Sequence, residues 1–266
     1  MTRSRKLKSV AILALCAVFA SPAVAATCGR SAAGFDSWKE QFAAEAGGRV
    51  SQNAIAALMS THYNAPTISA DRGQKSFHLS LDQFLAKRGG PAIVAQGRRL
   101  KQSQAALFAS IRQRYGVPAG PLLAIWGMET GFGAVHGNQH ALSAIATLAY
   151  DCRRSEYFTD QLYAALTLID RGQLAAGARG SMHGEIGQTQ FLPKNILEYG
   201  EGGNLDNGPA ALIATANFLH AHGWRAGGGY QPGEANFGAI QSWNAATVYE
   251  QAIAVIGKRI DGGDDE

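Results

Sequence analysis

A lone glutamate, Glu129, stands at the end of an almost unbroken apolar run over residues 122–128, and Thr130 and Gly131 follow it. A helix that begins at residues 118–121 places Glu129 in its last turn, because Gly131 is a natural helix stop. The C-terminal end of a helix and apolar surroundings both disfavour negative charge, so both raise the pKa of a carboxyl group. Such a group can act as a general acid near neutral pH. The alternative is a surface glutamate that closes a core helix.

Two other segments carry side chains that suit a carbohydrate. Residues 180–193 contain three glycines, two glutamines and two hydroxyl side chains, which is typical of a loop whose amides and backbone approach a polar ligand. Trp243 lies beside Asn244 at a predicted helix start, and an aromatic face beside a carboxamide provides the stacking and hydrogen bonding that sugar rings need. On residue type alone, Arg153 and Arg154 are a solvated pair.

The first 25 residues are predicted to be a secretory signal peptide. Four basic residues come first, an apolar stretch over residues 10–20 is too short to span a bilayer, and Ala23-Val24-Ala25 forms a small-residue cleavage site. We therefore expect a periplasmic protein whose exported part, residues 26–266, is one domain. Without the four basic residues of the leader, 20 basic and 20 acidic residues remain, so the charge gives no reason to expect nucleic-acid binding.

Two cysteines, Cys28 and Cys152, remain after removal of the leader. An exported protein with an even number of cysteines is expected to pair them in an oxidising compartment. The alternative is two buried free thiols.

The elements that must position these residues are predicted to be helices nearly throughout, with no convincing strand pattern. The pattern predicts one long helix from Pro91 to about Tyr115, and helices over residues 141–150, 155–170, 209–222 and 245–260. Residues 64–77 are predicted to be a loop because they contain Pro66 and Gly73. The fold class is therefore mainly α.

Several of these segments resemble a known family in the same order along the chain. Residues 125–133 resemble the catalytic segment of the MltB-type membrane-bound lytic murein transglycosylases, and residues 187–193 resemble that family's Gly-x-x-Gln-Phe-Met-Pro segment. Residues 146–150, 153–158 and 217–224, with Trp243-Asn244, match further segments. The resemblance covers roughly residues 35–260. It implies a lysozyme-like helical transglycosylase domain with a substrate groove.

The resemblance also implies roles for individual residues. Glu129 is the expected catalytic acid and base. Arg153 and Arg154 fall where basic residues of the family meet the acidic stem peptide, and Trp243 stands where the family usually has a tyrosine. The residues expected to contact the glycan or line the groove are Ser181, Gln190, Phe191, Trp243 and Asn244.

The implied reaction cleaves the β-1,4 bond between N-acetylmuramic acid and N-acetylglucosamine of peptidoglycan, forms a 1,6-anhydro ring and needs no cofactor. We expect a monomer whose partners are glycan strands and, further, other cell-wall or envelope-machinery proteins. One departure concerns metal binding: residues 198–207 lack the Asp-x-Asp-x-Asp spacing of the family's calcium-type loop, so we expect no metal. Two alternatives remain open: a lysozyme-like hydrolase that uses Glu185 as a second carboxylate, and a non-catalytic peptidoglycan-binding protein.

Overall fold

The computed structural model describes residues 26–73 and 79–262, so the predicted signal peptide lies outside the described residues. The described chain is mostly helical, as predicted. After a short 3-10 helix at Ala32–Gly34, the helices are α1 Phe35–Glu45, α2 Gln52–Met59, α3 Ala65–Arg72, α4 Leu81–Arg88, α5 Gly90–Ser103, α6 Ala105–Tyr115, α7 Ala119–Thr130, α8 Ala141–Tyr150, α9 Ser155–Asp170, α10 Pro193–Tyr199, α11 Gly208–Ala221, α12 Phe237–Trp243 and α13 Thr247–Asp261. Strands β1 Gln139–His140 and β2 Arg179–Gly180 pair antiparallel.

Helix α7 forms the centre of the core. Every residue from Ala119 to Met128 is buried, and the helix packs against α13 and α5. Close approach to α13 requires Gly120, because a Cβ atom there would lie 2.3 Å from the carbonyl oxygen of Gly257. Gly131 ends the helix in a left-handed conformation with φ of 58°, which confirms the predicted stop. The apolar run thus places Glu129 at the last turn of the core helix.

A disulfide fastens the start of the described chain to the segment between α8 and α9. Cys28 and Cys152 are joined, with an S–S distance of 2.09 Å. Backbone hydrogen bonds flank the bridge: the Gly29 amide donates to the Tyr150 carbonyl at 2.9 Å, and the Cys152 amide donates to the Gly29 carbonyl at 3.2 Å. The structure therefore has the predicted pairing and not two free thiols.

Three local predictions were wrong. The segment predicted as a loop contains α3, because Pro66 lies in the first turn, where proline is tolerated, and the Asn64 side chain caps the Thr67 amide at 3.2 Å. The predicted long helix breaks at Gln104, since α5 packs against α7 and α13 whereas α6 packs against α11. Trp243 ends α12 and does not begin a helix, because Asn244 is extended.

None of the described helices is long and apolar enough to cross a membrane.

Candidate active site

A cavity of about 860 Å³ opens at the C-terminal end of α7. Its walls come from the end of α7, the start of α9, the loop between β2 and α10, the end of α11 and residues 242–246. The predicted site residues that line it are Glu129, Arg154, Gln190, Phe191, Trp243 and Asn244. Ser181 and Arg153, which are also described, do not line it.

Two side chains fix one oxygen of the Glu129 carboxyl group. The Tyr249 hydroxyl donates to Glu129 Oε1 at 2.7 Å, and Trp243 Nε1 donates to the same oxygen at 3.2 Å. Glu129 Oε2 has no hydrogen-bond partner among the described residues. The carboxyl group is therefore held in one orientation, with its second oxygen free to meet a substrate.

The surroundings of Glu129 favour its protonated form. Burial, and then the negative charge of Glu185, raise the pKa of Glu129 to about 7. Hydrogen bonds from Tyr249 and Trp243 and the positive charge of Arg88 act in the opposite direction but are outweighed. A carboxyl group that holds its proton near neutral pH can give that proton to a leaving group and recover it afterwards.

A tight hairpin places Gln190 and Phe191 beside the cavity. The backbones of Ile186 and Phe191 exchange hydrogen bonds of 2.8 and 2.9 Å, and Gln190 has a φ of 56° at the turn. Gln190 Nε2 donates to the Gly187 carbonyl at 2.8 Å, which leaves the side-chain oxygen of Gln190 as an acceptor. Phe191 meets Trp243 edge to face, with ring centroids 5.0 Å apart.

Asn244 presents a donor to the cavity. Its Oδ1 accepts from the Ala246 amide at 3.0 Å, and its Nδ2 has no partner among the described residues. The neighbouring Trp243 is fixed from two sides, because it also packs edge to face on Phe218 at 5.2 Å. A carboxamide donor beside a rigid aromatic face can bind an acetamido carbonyl and a sugar ring together.

The Ser181 hydroxyl is occupied within the protein. It donates to Glu185 Oε2 at 2.7 Å and accepts from the amides of His183 and Glu185, both at 3.1 Å. One donor and two acceptor positions are all that a hydroxyl has. Glu185, and not Ser181, lines the cavity at this point.

A buried aspartate, Asp71, binds both predicted arginines. The guanidinium groups of Arg153 and Arg154 each hydrogen-bond one oxygen of Asp71, whose side chain is 3% exposed. Arg154 also stacks on the Phe158 ring at 4.8 Å and lines the cavity. The two arginines are therefore not a freely solvated pair.

Sequence reasoning missed Tyr249, Asp71 and Gln188. Gln188 Oε1 accepts from Trp126 Nε1 at 2.7 Å, and its backbone carbonyl accepts from Thr130 Oγ1 at 2.6 Å, so Gln188 holds the end of α7. For Tyr249, the available signal was a hydroxyl in the first turn of the helix that follows Asn244. Asp71 gave no signal, because its segment was predicted to be a loop.

Two side chains of residues 198–207, the segment expected to correspond to the family's calcium-type loop, already have partners within the protein. Glu201 Oε1 already accepts from Arg114 and from the Tyr115 hydroxyl, both at 2.8 Å. Asn204 Oδ1 accepts from the Asp206 amide at 3.0 Å. In the described part of the chain, no group of three or more His, Cys, Asp or Glu side chains could hold a metal ion.

Comparisons with known proteins agree with this geometry. A family model described as the transglycosylase SLT domain matches residues 34–233. Membrane-bound lytic murein transglycosylase B of Escherichia coli (strain K12) is 37% identical in a match over 120 residues that covers 42% of this chain and 33% of that protein. The match thus spans about a third of the length of this curated relative.

Two solved structures extend the likeness over most of the chain. SltB3 of Pseudomonas aeruginosa, in complex with NAG-anhNAM-pentapeptide, has a TM-score of 0.77 at 26% identity and covers 88% of this chain and 80% of its own. Escherichia coli lytic transglycosylase Slt35, in complex with calcium, has a TM-score of 0.72 at 21% identity, covering 89% of this chain and 96% of its own. The second likeness is one of fold alone. Together the matches confirm the predicted resemblance and the predicted fold class.

Proposed function

Since this chain belongs to the transglycosylase SLT domain family, we propose that it is a lytic transglycosylase that cleaves peptidoglycan between N-acetylmuramic acid and N-acetylglucosamine. The observation that carries this proposal is the Glu129 carboxyl group. It lies in a large cavity, one oxygen is fixed by Tyr249 and Trp243, and its pKa is raised by burial to about 7. Such a group can serve as the single acid and base of the reaction.

The first step breaks the glycosidic bond. Protonated Glu129 gives its proton to the bridging oxygen, and the electron pair of the C1–O bond leaves with the N-acetylglucosamine product. The carbonyl oxygen of the substrate's own 2-acetamido group bonds to C1 of the muramic acid, so no carboxylate nucleophile is required. We assign Asn244 Nδ2 to hold that acetamido group, because it is an unoccupied donor of the cavity wall.

The second step closes the ring. Glu129, now ionised, takes the proton of the C6 hydroxyl group, and O6 attacks C1 while the bond to the acetamido oxygen breaks. The products are a 1,6-anhydromuramoyl end and the free N-acetylglucosamine end, and Glu129 is protonated again. No water is consumed, and the tethered hydroxyl gains its advantage from proximity. In this proposal, Gln190 binds the glycan, and Trp243 supplies the stacking surface that is usually a tyrosine in the family. Phe191 lines the groove and supports the Trp243 ring edge to face.

A second candidate, a lysozyme-like hydrolase, is favoured by one specific observation. Glu185 lines the same cavity as Glu129, so a second carboxylate is available to activate a water molecule. The non-catalytic alternative expects the same intact cavity, so a measurement of turnover is what distinguishes it.

Digestion of purified sacculi in water enriched in heavy oxygen tests the proposal. We expect muropeptides that end in 1,6-anhydro-N-acetylmuramic acid and carry no label at C1. Label at C1 in most products would establish the hydrolase. Glu129→Gln should reduce turnover to a few per cent or less, whereas Glu40→Gln, at an exposed position, is the matched control. Glycan binding without turnover in the unchanged protein would support the non-catalytic alternative.

We further propose that residues 1–25 are a cleaved signal peptide, that residues 26–266 form a single periplasmic domain, and that this domain acts as a monomer. The disulfide supports an oxidising compartment. Mass spectrometry of the protein isolated from the cell envelope tests the cleavage site, and sedimentation tests the oligomeric state. Other cell-wall or envelope-machinery proteins remain proposed partners.

A further inference from the structure

We propose that Glu185 is a positioning residue for the reaction of Glu129: its negative charge, fixed on another wall of the same cavity, favours the protonated form of Glu129. The inference rests on the proposed acid and base role of Glu129. It gives Glu185 a part in a one-acid mechanism and does not make it a second catalytic carboxylate.

The geometry of the two carboxyl groups is complementary. Glu129 has Oε1 held by Tyr249 and Trp243, and Glu185 has Oε2 held by the Ser181 hydroxyl at 2.7 Å. Neither Glu129 Oε2 nor Glu185 Oε1 has a hydrogen-bond partner among the described residues. Each side chain is therefore anchored by one oxygen and faces the cavity they share.

No basic side chain of the described residues forms an ion pair with Glu185. The cation that shares the cavity wall is Arg154, and its guanidinium group is bonded to Asp71. An unpaired charge in a partly enclosed cavity acts over a longer range than one in bulk water. The charge of Glu185 also acts on Arg154, but the Arg154 guanidinium group is already bonded to Asp71. Glu185 therefore has no ion pair of its own, and its negative charge acts on Glu129.

Other titratable groups also face Glu129. Arg88 from α4 and Tyr249 from α13 both lower the pKa of Glu129, whereas burial and Glu185 raise it. His183 lines the cavity, but burial lowers the pKa of its imidazole, so it adds no positive charge near neutral pH. Tyr157 and His222 line the remaining walls. Among these groups, Glu185 is the one whose charge opposes ionisation of Glu129.

Ser181 provides the means to separate charge from loop structure. Its hydroxyl is saturated by Glu185 and by two backbone amides, so we expect it to anchor Glu185 and not to bind glycan. Ser181→Ala removes the anchor and keeps the charge. Glu185→Gln keeps an acceptor for the Ser181 hydroxyl and removes the charge. The pair Glu185→Asp and Glu185→Asn repeats the charge comparison with a shorter side chain.

The experiment measures kcat/KM against pH on purified glycan strands for the full chain and these four variants, with circular dichroism to verify folding. We expect the alkaline limb of Glu185→Gln to move to lower pH by about half a unit to one unit, while its products keep the 1,6-anhydro end. The alkaline limb of Glu185→Asn should lie at lower pH than that of Glu185→Asp by a similar amount. The limb of Ser181→Ala should stay near that of the unchanged protein.

Three results would overturn the inference. The first is an alkaline limb of the pH profile that stays in place when the charge of Glu185 is removed. The second is an equal displacement of this limb in Ser181→Ala, which would assign the effect to loop geometry. The third is a loss of activity at every pH in folded Glu185→Gln, which would make Glu185 itself an acid or base. The fate of the proposed function is read separately, from heavy-oxygen label at C1 of the products of the unchanged protein. If Glu185→Gln fails to fold, the Asp and Asn variants still decide the question.

Discussion

The Tyr249 hydroxyl lies 2.7 Å from Glu129 Oε1, and the two residues are 120 positions apart in the chain. This bond joins the last turn of α7 to the first turn of α13, the two helices at the centre of the core. Burial raises the pKa of Tyr249 well above its usual value, so the hydroxyl keeps its proton and donates a hydrogen bond to Glu129 Oε1.

Tyr249→Phe should weaken catalysis and move its alkaline limit in the opposite direction from Glu185→Gln. Loss of this donor removes a hydrogen bond to the ionised form of Glu129, so the pKa of Glu129 should rise further above 7. The lost hydrogen bond corresponds to about 1 to 3 kcal/mol, or a loss of roughly fivefold to 150-fold in kcat. A pH profile of kcat checks both effects. An unchanged limb, with kcat intact, would show that Tyr249 does not orient the acid.

Glu129→Gln should make the protein more stable at alkaline pH. The pKa of Glu129 is raised by burial from 4.5 to about 7, so the folded chain retains a proton that the unfolded chain has lost between these values. The free energy of unfolding therefore falls as the pH rises across this window, by at most about 3 kcal/mol. The variant lacks this loss. In urea unfolding, the free energy of unfolding of Glu129→Gln should exceed that of the wild-type protein by more at about pH 8 than at about pH 4.5. An equal excess at both pH values would contradict a pKa of about 7 for Glu129.

Asp71→Asn should destabilise the fold, because it leaves Arg153 and Arg154 without their shared carboxylate. The arginine side chains are 45% and 38% exposed, so the expected cost is on the order of 2 kcal/mol, below that of a fully buried pair. Asp160→Asn is the matched control, since its partner Lys194 lies 3.5 Å away at the surface and the cost should stay within about 1 kcal/mol. Equal effects of the two substitutions on urea unfolding would refute a structural role for Asp71.

Reduction of the disulfide should destabilise the protein. The bridge between Cys28 and Cys152 closes a loop with a sequence separation of 124 residues. In the chain-entropy description, a loop of this size contributes about 4 to 5 kcal/mol as an upper estimate. Thermal unfolding with and without reductant measures the effect. Thiol titration of the unfolded, unreduced protein should find no free thiol, and two free thiols would refute the pairing.

Chelators and added calcium should change neither activity nor thermal stability. Glu201 is an acidic residue of the segment that we expect to correspond to the family's loop, and Arg114 and the Tyr115 hydroxyl already bond it. A guanidinium group thus satisfies the carboxylate without a cation from solution. Thermal unfolding in chelator and in millimolar calcium checks this expectation, and a calcium-dependent rise in Tm would contradict it.

Local sequence patterns determined the element that carries the acid. The apolar run, the prolines at residues 118 and 121 and the glycine at 131 fixed the extent of α7, and amphipathic spacing fixed α9 at Ser155–Asp170. These features are local, because a helix depends on residues three and four positions apart and on its caps. The same reasoning failed at Pro66, where a residue that breaks helices stands in a first turn.

Only the tertiary structure decided the chemistry around Glu129. Contacts between distant segments decide which donor bonds Glu129 Oε1 and which carboxylate shares the cavity. They also decide which aspartate binds Arg153 and Arg154. A pattern along one segment contains no information about the segment that packs against it. The sequence alone predicts that the pKa of Glu129 is raised, because Glu129 lies at an apolar helix end. Packing decided the causes of the shift. Burial against α13 and the charge of Glu185 raise the pKa, and the contacts of Tyr249, Trp243 and Arg88 oppose them.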